Sequence, residues 1–182
     1  MRVTAGTFRR RSLRSAASDA LRPTARRLRE TLFNVLAPRL DGARFLDLCA
    51  GTGAVGIEAL SRGAGHVTFV DCAADACALV AANLAACGAG AAQSEIMHSE
   101  AADFLRRAGR TWDVAYFDPP YAADYAPVLA LFAAGAALRP RGGTLVVEHH
   151  CEHALPARLD TLRRWRLIRH GQSCLSFYER RR

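Results

Sequence analysis

Two short stretches carry residues whose types and spacing can do chemistry: Asp118-Pro119-Pro120-Tyr121, and the run from Asp47 to Gly56 that reads D-L-C-A-G-T-G-A-V-G. In the first, the Asp118 carboxylate and the Pro119 carbonyl can each accept a hydrogen bond from an exocyclic amino group. The lone pair of such a nitrogen is otherwise delocalised into its ring, so orienting it turns a poor nucleophile into one aimed at an electrophile. The two prolines stiffen the turn. Tyr121 offers a flat face to a base taken out of its stack, a contact worth about 1–3 kcal/mol. Catalytic roles are therefore expected at Asp118, Pro119, Pro120 and Tyr121. Standing alone, the tetrapeptide reads equally well as a proline turn with an aspartate cap and a core tyrosine.

In the second stretch, Gly51, Gly53 and Gly56 satisfy G-x-G-x-x-G, and Asp71 follows Gly51 by twenty residues. A backbone turned this tightly approaches a ligand closely, the following helix offers N–H groups to an anionic group, and the distal acid accepts ribose hydroxyls. A dinucleotide site would look similar. Asp47 argues against it, because a carboxylate in the cleft repels a pyrophosphate but suits the ammonium of the methionine part of S-adenosylmethionine. No substrate domain remains for a hydride acceptor either, and Asp118-Pro119-Pro120-Tyr121 belongs at the end of a strand beside this loop.

The elements that must position these residues follow from the hydrophobic pattern. From Arg44 onward, short apolar runs alternate with longer helical patterns, the signature of repeated β-α units and a parallel sheet. Strands are expected at 44–49, 66–71, about 93–98, 112–117 and 144–148. Helices are expected at about 54–62, 73–87, from a Ser99 cap to about 108, and 123–138. Asp118 thus leaves the carboxyl end of the fourth strand, where open α/β sheets bind ligands. A closing antiparallel hairpin, 165–170 and 173–178, turns at Gly171. Before the sheet, 24–36 reads as a helix with Leu28, Leu32, Val35 and Leu36 on one stripe, with Arg26, Arg27 and Arg29 off it.

The chain has 182 residues, 51% apolar and 23% charged, which excludes disorder and leaves no room for a second full domain. No run is apolar enough to read as a membrane span. All 25 basic residues are arginine, and they are unevenly placed: residues 1–44 carry +8, 45–157 carry −6 and 158–182 carry +6. Codon bias explains arginine over lysine but not the clustering. Two basic flanks around an acidic middle suit a polyanion gripped at the edges and a cationic small molecule held at the centre. The six cysteines show no C-x-x-C spacing and are expected to be reduced, mostly buried thiols. His149-His150-Cys151-Glu152-His153 lacks a second ligand pair at zinc spacing and reads as a strand end entering a loop, so no metal is expected.

These blocks, together with Arg2-Val3, Gly6, Leu21-Arg22-Pro23-Thr24, Arg29-Glu30-Thr31-Leu32-Phe33-Asn34 and Leu175-Ser176-Phe177-Tyr178-Glu179, resemble the RsmD family of bacterial small-subunit ribosomal RNA guanine-N2 methyltransferases nearly end to end. The resemblance implies a class I S-adenosylmethionine-dependent methyltransferase, a Rossmann-like α/β fold with a seven-stranded sheet. It implies a basic N-terminal extension over 1–40, a hairpin plus helix, packed on a methyltransferase unit over 41–182. It further implies methyl transfer to the N2 of a guanine in 16S ribosomal RNA by a cytoplasmic monomer without a metal. Carried over by position, Asp47, Cys49, Ala50, Gly51, Thr52 and Gly53 lie along the methionine part of the cofactor. Asp71 and Cys72 lie at the ribose, Glu100 with the Ala101 amide at the adenine, and Asp118 between cofactor and base. Arg9, Arg10, Arg11, Arg22, Arg26, Arg27 and Arg29 are the expected RNA contacts. Cys49 stands where the family often has phenylalanine and Asp71 where it often has glutamate. Three other readings stay open: adenine-N6 methylation of DNA or RNA, a non-catalytic RNA-binding or assembly protein, and a nicotinamide-dependent dehydrogenase. A nucleoside digest, an Asp118→Ala variant and a cofactor titration separate them.

Overall fold

The computed structural model describes residues 1–15, 23–135 and 137–180. Five parallel strands come first: β1 (Arg44–Leu48), β2 (His66–Asp71), β3 (Ser94–His98), β4 (Val114–Phe117) and β5 (Thr144–His150). β6 (Arg158–Leu159), β7 (Leu162–His170) and β8 (Ser173–Arg180) complete one sheet of order β3-β2-β1-β4-β5-β8-β7-β6, with β8 antiparallel to β5. Helices α1 (Pro23–Leu36), α2 (Ala54–Ser61) and α3 (Ala74–Cys87) contribute to a core of Phe33, Phe45, Ile57, Phe69 and Val80 on one face. On the other face, α4 (Ala101–Arg107) and α5 (Ala126–Ala133) pack Phe104, Leu129 and Phe132 with Trp112 and Tyr178. Both faces are covered, which is why β1, β2 and β4 read as near-continuous apolar runs.

Several expected boundaries move. Among the described residues the sheet has eight strands rather than seven, the additional one being the two-residue β6. α5 is eight residues, not the whole of 123–138: Pro127 fits only its first turn, the Asp124 carboxylate accepts the Ala126 amide, and Gly135 turns the chain at φ 92°. Trp112 sits outside β4 in an isolated bridge to Leu138, and its indole N–H donates to Thr68 Oγ1 at 3.1 Å. Ser99 does not cap α4, which begins beyond Glu100 with no side-chain cap.

The N-terminal segment is held by one buried carboxylate. Glu58, 0% exposed on α2, accepts hydrogen bonds from the Thr4 and Ala5 amides, the Thr4 hydroxyl and Arg62. Gly6 lies so close to the Ser61 carbonyl that any Cβ would collide with it, and its φ of 79° favours glycine as well. Arg29 joins this cluster, 3.7 Å from Glu58, with its guanidinium donating to the Arg2 carbonyl. It is only 6% exposed, so its expected place on the RNA-contacting surface is corrected: Glu58 and the N-terminal segment cover the side of α1 that the apolar stripe leaves free.

The cysteines depart from expectation too. Cys151 and Cys174 form a disulfide, with Cα atoms 5.2 Å apart, because the β5–β8 register that pairs His149 with Cys174 carries Cys151 past the same point. Cys87 is buried and Cys49 and Cys77 half-buried, but Cys72 is exposed, since it follows the last residue of β2 at the sheet edge.

Candidate active site

A cavity of about 980 Å³ opens beside the carboxyl ends of β1, β4 and β5, between the sheet and the N-terminal segment. Its lining includes Asp47, Cys49, Ala50, Gly51 and Thr52 of the glycine loop, Tyr116 and Asp118 of β4 and its end, and Glu148 of β5. Thr4, Arg9, Arg10 and Ser12 of the N-terminal segment and Arg26 and Arg29 of α1 form the opposing wall.

The glycine loop has the shape its spacing demands. Gly51 and Gly53 take φ of 54° and 72°, and Gly53 stands at the start of α2. A Cβ on Gly51 would meet nothing, leaving open space above the loop, whereas a Cβ on Gly56 would lie 2.2 Å from the Phe69 ring. The first glycine therefore clears room for a ligand and the third lets α2 pack onto β2. The Asp71 carboxylate receives the Gly51 amide at 2.8 Å and the Ala73 amide at 2.9 Å.

Asp47 is 2% exposed and accepts the Gly56 amide at 2.8 Å; burial nevertheless pushes its carboxyl up to about 7. Burial, with Glu148 and Asp47 nearby, holds the Asp118 carboxyl well above the carboxylate range. Burial likewise raises Glu148 and drives the Tyr116 phenol upward, and it pushes the Cys49 thiol up to about 12. Three carboxyl groups, Asp47 buried and Asp118 and Glu148 half-buried, make a site that resists more negative charge and favours a cation.

The other expected site residues are spread around this cavity. Pro119 is buried, while Pro120 and Tyr121 stand at the exposed lip; the Tyr121 ring lies 5.4 Å from that of His150 and its hydroxyl 2.9 Å from Ser173 Oγ. Cys72 and Glu100 come together beyond the ends of β2 and β3, off the cavity wall. Arg9, Arg10, Arg11, Arg26 and Arg27 are exposed, with Arg26 paired to Glu30 at 2.9 Å; Arg22 lies outside the described residues. Glu148 and Tyr116 were not expected. Glu148 ends the predicted fifth strand, a position where open α/β sheets bind ligands, and that placement was the available signal.

The sheet order, the glycine loop after β1 and the aspartate after β4 together define an α/β fold of the class I methyltransferase type. The sequence profile of the family described as "Conserved hypothetical protein 95" matches residues 1–179, and the chain belongs to this family, the RsmD family. It is 33% identical to YlbH of Bacillus subtilis (strain 168), provisionally named an rRNA methyltransferase, over the full length of both chains. It is 40% identical to ribosomal RNA small subunit methyltransferase D of Escherichia coli (strain K12) over 121 residues, 66% of this chain and 60% of that one. The solved structure of yhhF from Escherichia coli, provisionally titled a methyltransferase, superposes with a TM-score of 0.87 at 33% identity, covering 99% of this chain and 97% of that one. Among the described residues no helix is long and apolar enough to cross a membrane.

Proposed function

We propose that the protein methylates the exocyclic N2 of a guanine in small-subunit 16S ribosomal RNA, guanine 966 by the family's pattern, with S-adenosylmethionine as donor. The observation that carries this reading is the meeting of Asp47, Asp118 and Glu148 in one cavity walled on the other side by Arg9, Arg10 and Arg26. The acids suit a cationic cofactor, the arginines suit the phosphates of its substrate, and relatives of this chain are named rRNA methyltransferases.

The residues present fit the cofactor. The open space over Gly51 admits its methionine part, Asp47 and Asp118 favour its positive charge, and Asp71 is held for ribose hydroxyls by the Gly51 and Ala73 amides. By the family's pattern Glu100 and the Ala101 amide take the adenine, from beyond the wall of the cavity. When bound, S-adenosylmethionine supplies an electrophilic methyl group on its sulfonium. The Asp118 carboxylate and the Pro119 carbonyl accept the hydrogen bonds of the guanine N2 and aim its lone pair at that methyl. Tyr121, at the lip, stacks on the extruded base, and the exposed arginines of residues 1–40 hold the neighbouring phosphates.

The test is incubation with labelled S-adenosylmethionine and unmethylated small subunits, naked 16S RNA or DNA, followed by digestion to nucleosides. N2-methylguanosine from a ribosomal substrate is the expected product. N6-methyladenine would keep the chemistry and overturn the target, and no product on any substrate would favour a binding or assembly role.

A further inference from the structure

The carboxyl end of β5 carries a second acid that the motifs do not account for. The parallel register pairs Tyr116 with Val146 and Phe117 with Val147, so Asp118 and Glu148 hold the next matched positions as β4 and β5 approach the cavity. Both line it. The Tyr116 phenol donates to Glu148 Oε2, the Ser173 hydroxyl makes a second contact to the same carboxylate, and Ser173 Oγ lies 2.9 Å from the Tyr121 hydroxyl. A continuous run of polar contacts thus links Tyr116, Glu148, Ser173 and Tyr121, beside Asp118.

Among the described residues no arginine or histidine pairs with Glu148, whereas the buried Glu58 has both Arg29 and Arg62. A half-buried carboxylate set beside a second one with no cation on it is still costly, and a glutamine would satisfy Tyr116 and Ser173 without that cost. The charge itself therefore needs a reason. Resting on the methyl-transfer reading above, we propose that Glu148 makes Asp118 the proton acceptor of the reaction and, through Ser173, holds Tyr121 against the target base.

The step balances without another reagent. The C–N bond forms as the S–C bond breaks, with sulfur keeping the electron pair. One N–H bond of the methylated nitrogen then breaks, its electrons staying on nitrogen, and the proton forms an O–H bond at Asp118 before leaving to solvent. Two like charges side by side in a half-buried pocket make each carboxylate a stronger base than it would be alone, which is the property a proton acceptor needs. Burial acts in the same sense on both groups. Of the groups facing the pair, Cys49 on the β1 side, Tyr116 on β4 and Tyr125 before α5 are all pushed upward and stay uncharged near neutrality. Asp47 adds to the negative side, and Arg9, Arg10 and Arg29 face it from the opposite wall.

The experiment is the pH dependence of kcat with saturating S-adenosylmethionine and unmethylated small subunits, for the unaltered protein, Glu148→Gln, Glu148→Asp and Ser173→Ala. Glu148→Gln is expected to lower the plateau about tenfold and to move the acid limb down by about one pH unit, both read at saturating cofactor. Glu148→Asp restores the charge and is expected to return the limb. Ser173→Ala should raise KM for the subunit without moving the limb. An acid limb that stays in place in Glu148→Gln overturns the proton role, because a merely structural residue lowers the rate without shifting the profile. Should that variant fail to fold, titration of ¹³C-labelled carboxyl groups in the unaltered protein decides: two carboxyls besides Asp47 protonating above the ordinary range support the pair, and ordinary titration of Glu148 overturns it. Absence of product from the unaltered protein would overturn the methyl-transfer reading, and this role with it.

Discussion

The Gly51 amide donates to Asp71 Oδ2 at 2.8 Å, so the acid that ends β2 holds the turn of the loop after β1. The other oxygen takes the Ala73 amide, and the carboxylate is fixed before any ligand arrives. Each oxygen keeps a lone pair for a ribose hydroxyl. Asp71→Asn would set an amide N–H₂ against a backbone N–H on one side. Cofactor affinity should fall about 10–100-fold, the loss expected for a charge-assisted hydrogen bond, with little change in melting temperature. Isothermal titration with S-adenosylmethionine and its demethylated product checks this, and unchanged affinity would remove Asp71 from the site.

Asp47 should impose a stability cost that function requires. Its carboxyl titrates at about 7 when folded against an ordinary value of 3.8, so between those limits the folded chain binds the proton that the unfolded chain has lost. Stability contributed by the protonated group is therefore complete below about pH 4 and lost as pH rises through 7, a change on the order of 4 kcal/mol. Asp47→Asn keeps an acceptor for the Gly56 amide and removes the charge. Its melting temperature should exceed that of the unaltered protein at pH 8 and match it near pH 4, while cofactor affinity drops. Parallel stability curves for the two proteins across this range would show that burial of Asp47 is not the cause.

What was legible in the sequence was what repeats locally. β2 was readable to the residue because both its faces are covered and Thr68 is the one polar residue between His66 and Asp71. The glycine loop and Asp118 were readable because their backbone demands are met within a few residues. Contacts that depend on register between distant strands were not. Nothing in the spacing of Cys151 and Cys174 announces that β8 runs antiparallel to β5 with these two side by side. Arg29 was misplaced for a related reason: helical periodicity shows which side of α1 meets the sheet, but not that Glu58 and the N-terminal segment cover another side. Glu148 was visible as a strand end, yet its meaning depends on Tyr116, 32 positions away, and on Ser173 at the start of β8.

The disulfide ties β5 to β8 next to Ser173, the partner of Tyr121. Its 23-residue separation corresponds to about 3 kcal/mol of stabilisation in the loop-entropy account. Reduction with dithiothreitol, or the Cys151→Ser and Cys174→Ser pair, should lower the melting temperature by several degrees. Identical melting with and without reductant would show that the bridge contributes nothing.

Arg9 and Arg10 stand exposed at the cavity, whereas Arg29 is buried against Glu58, so the same substitution should separate two kinds of arginine. Replacing Arg9 and Arg10 with alanine removes the proposed phosphate contacts without opening the core. RNA affinity should fall, and the slope of log affinity against log salt should become shallower by about 1–2, one contact or nearly so per residue. Melting should be unaffected. Arg29→Ala leaves the Glu58 carboxylate with Arg62 as its one cation among the described residues and removes the donor to the Arg2 carbonyl. It should destabilise the fold by about 3 kcal/mol, in the range of broken buried pairs, with the salt slope of any folded fraction unchanged. Binding isotherms at three salt concentrations beside thermal melts distinguish the two. A shallower slope for Arg29→Ala would return that residue to the RNA surface, and an unchanged slope for the Arg9 and Arg10 pair would take the N-terminal segment off it.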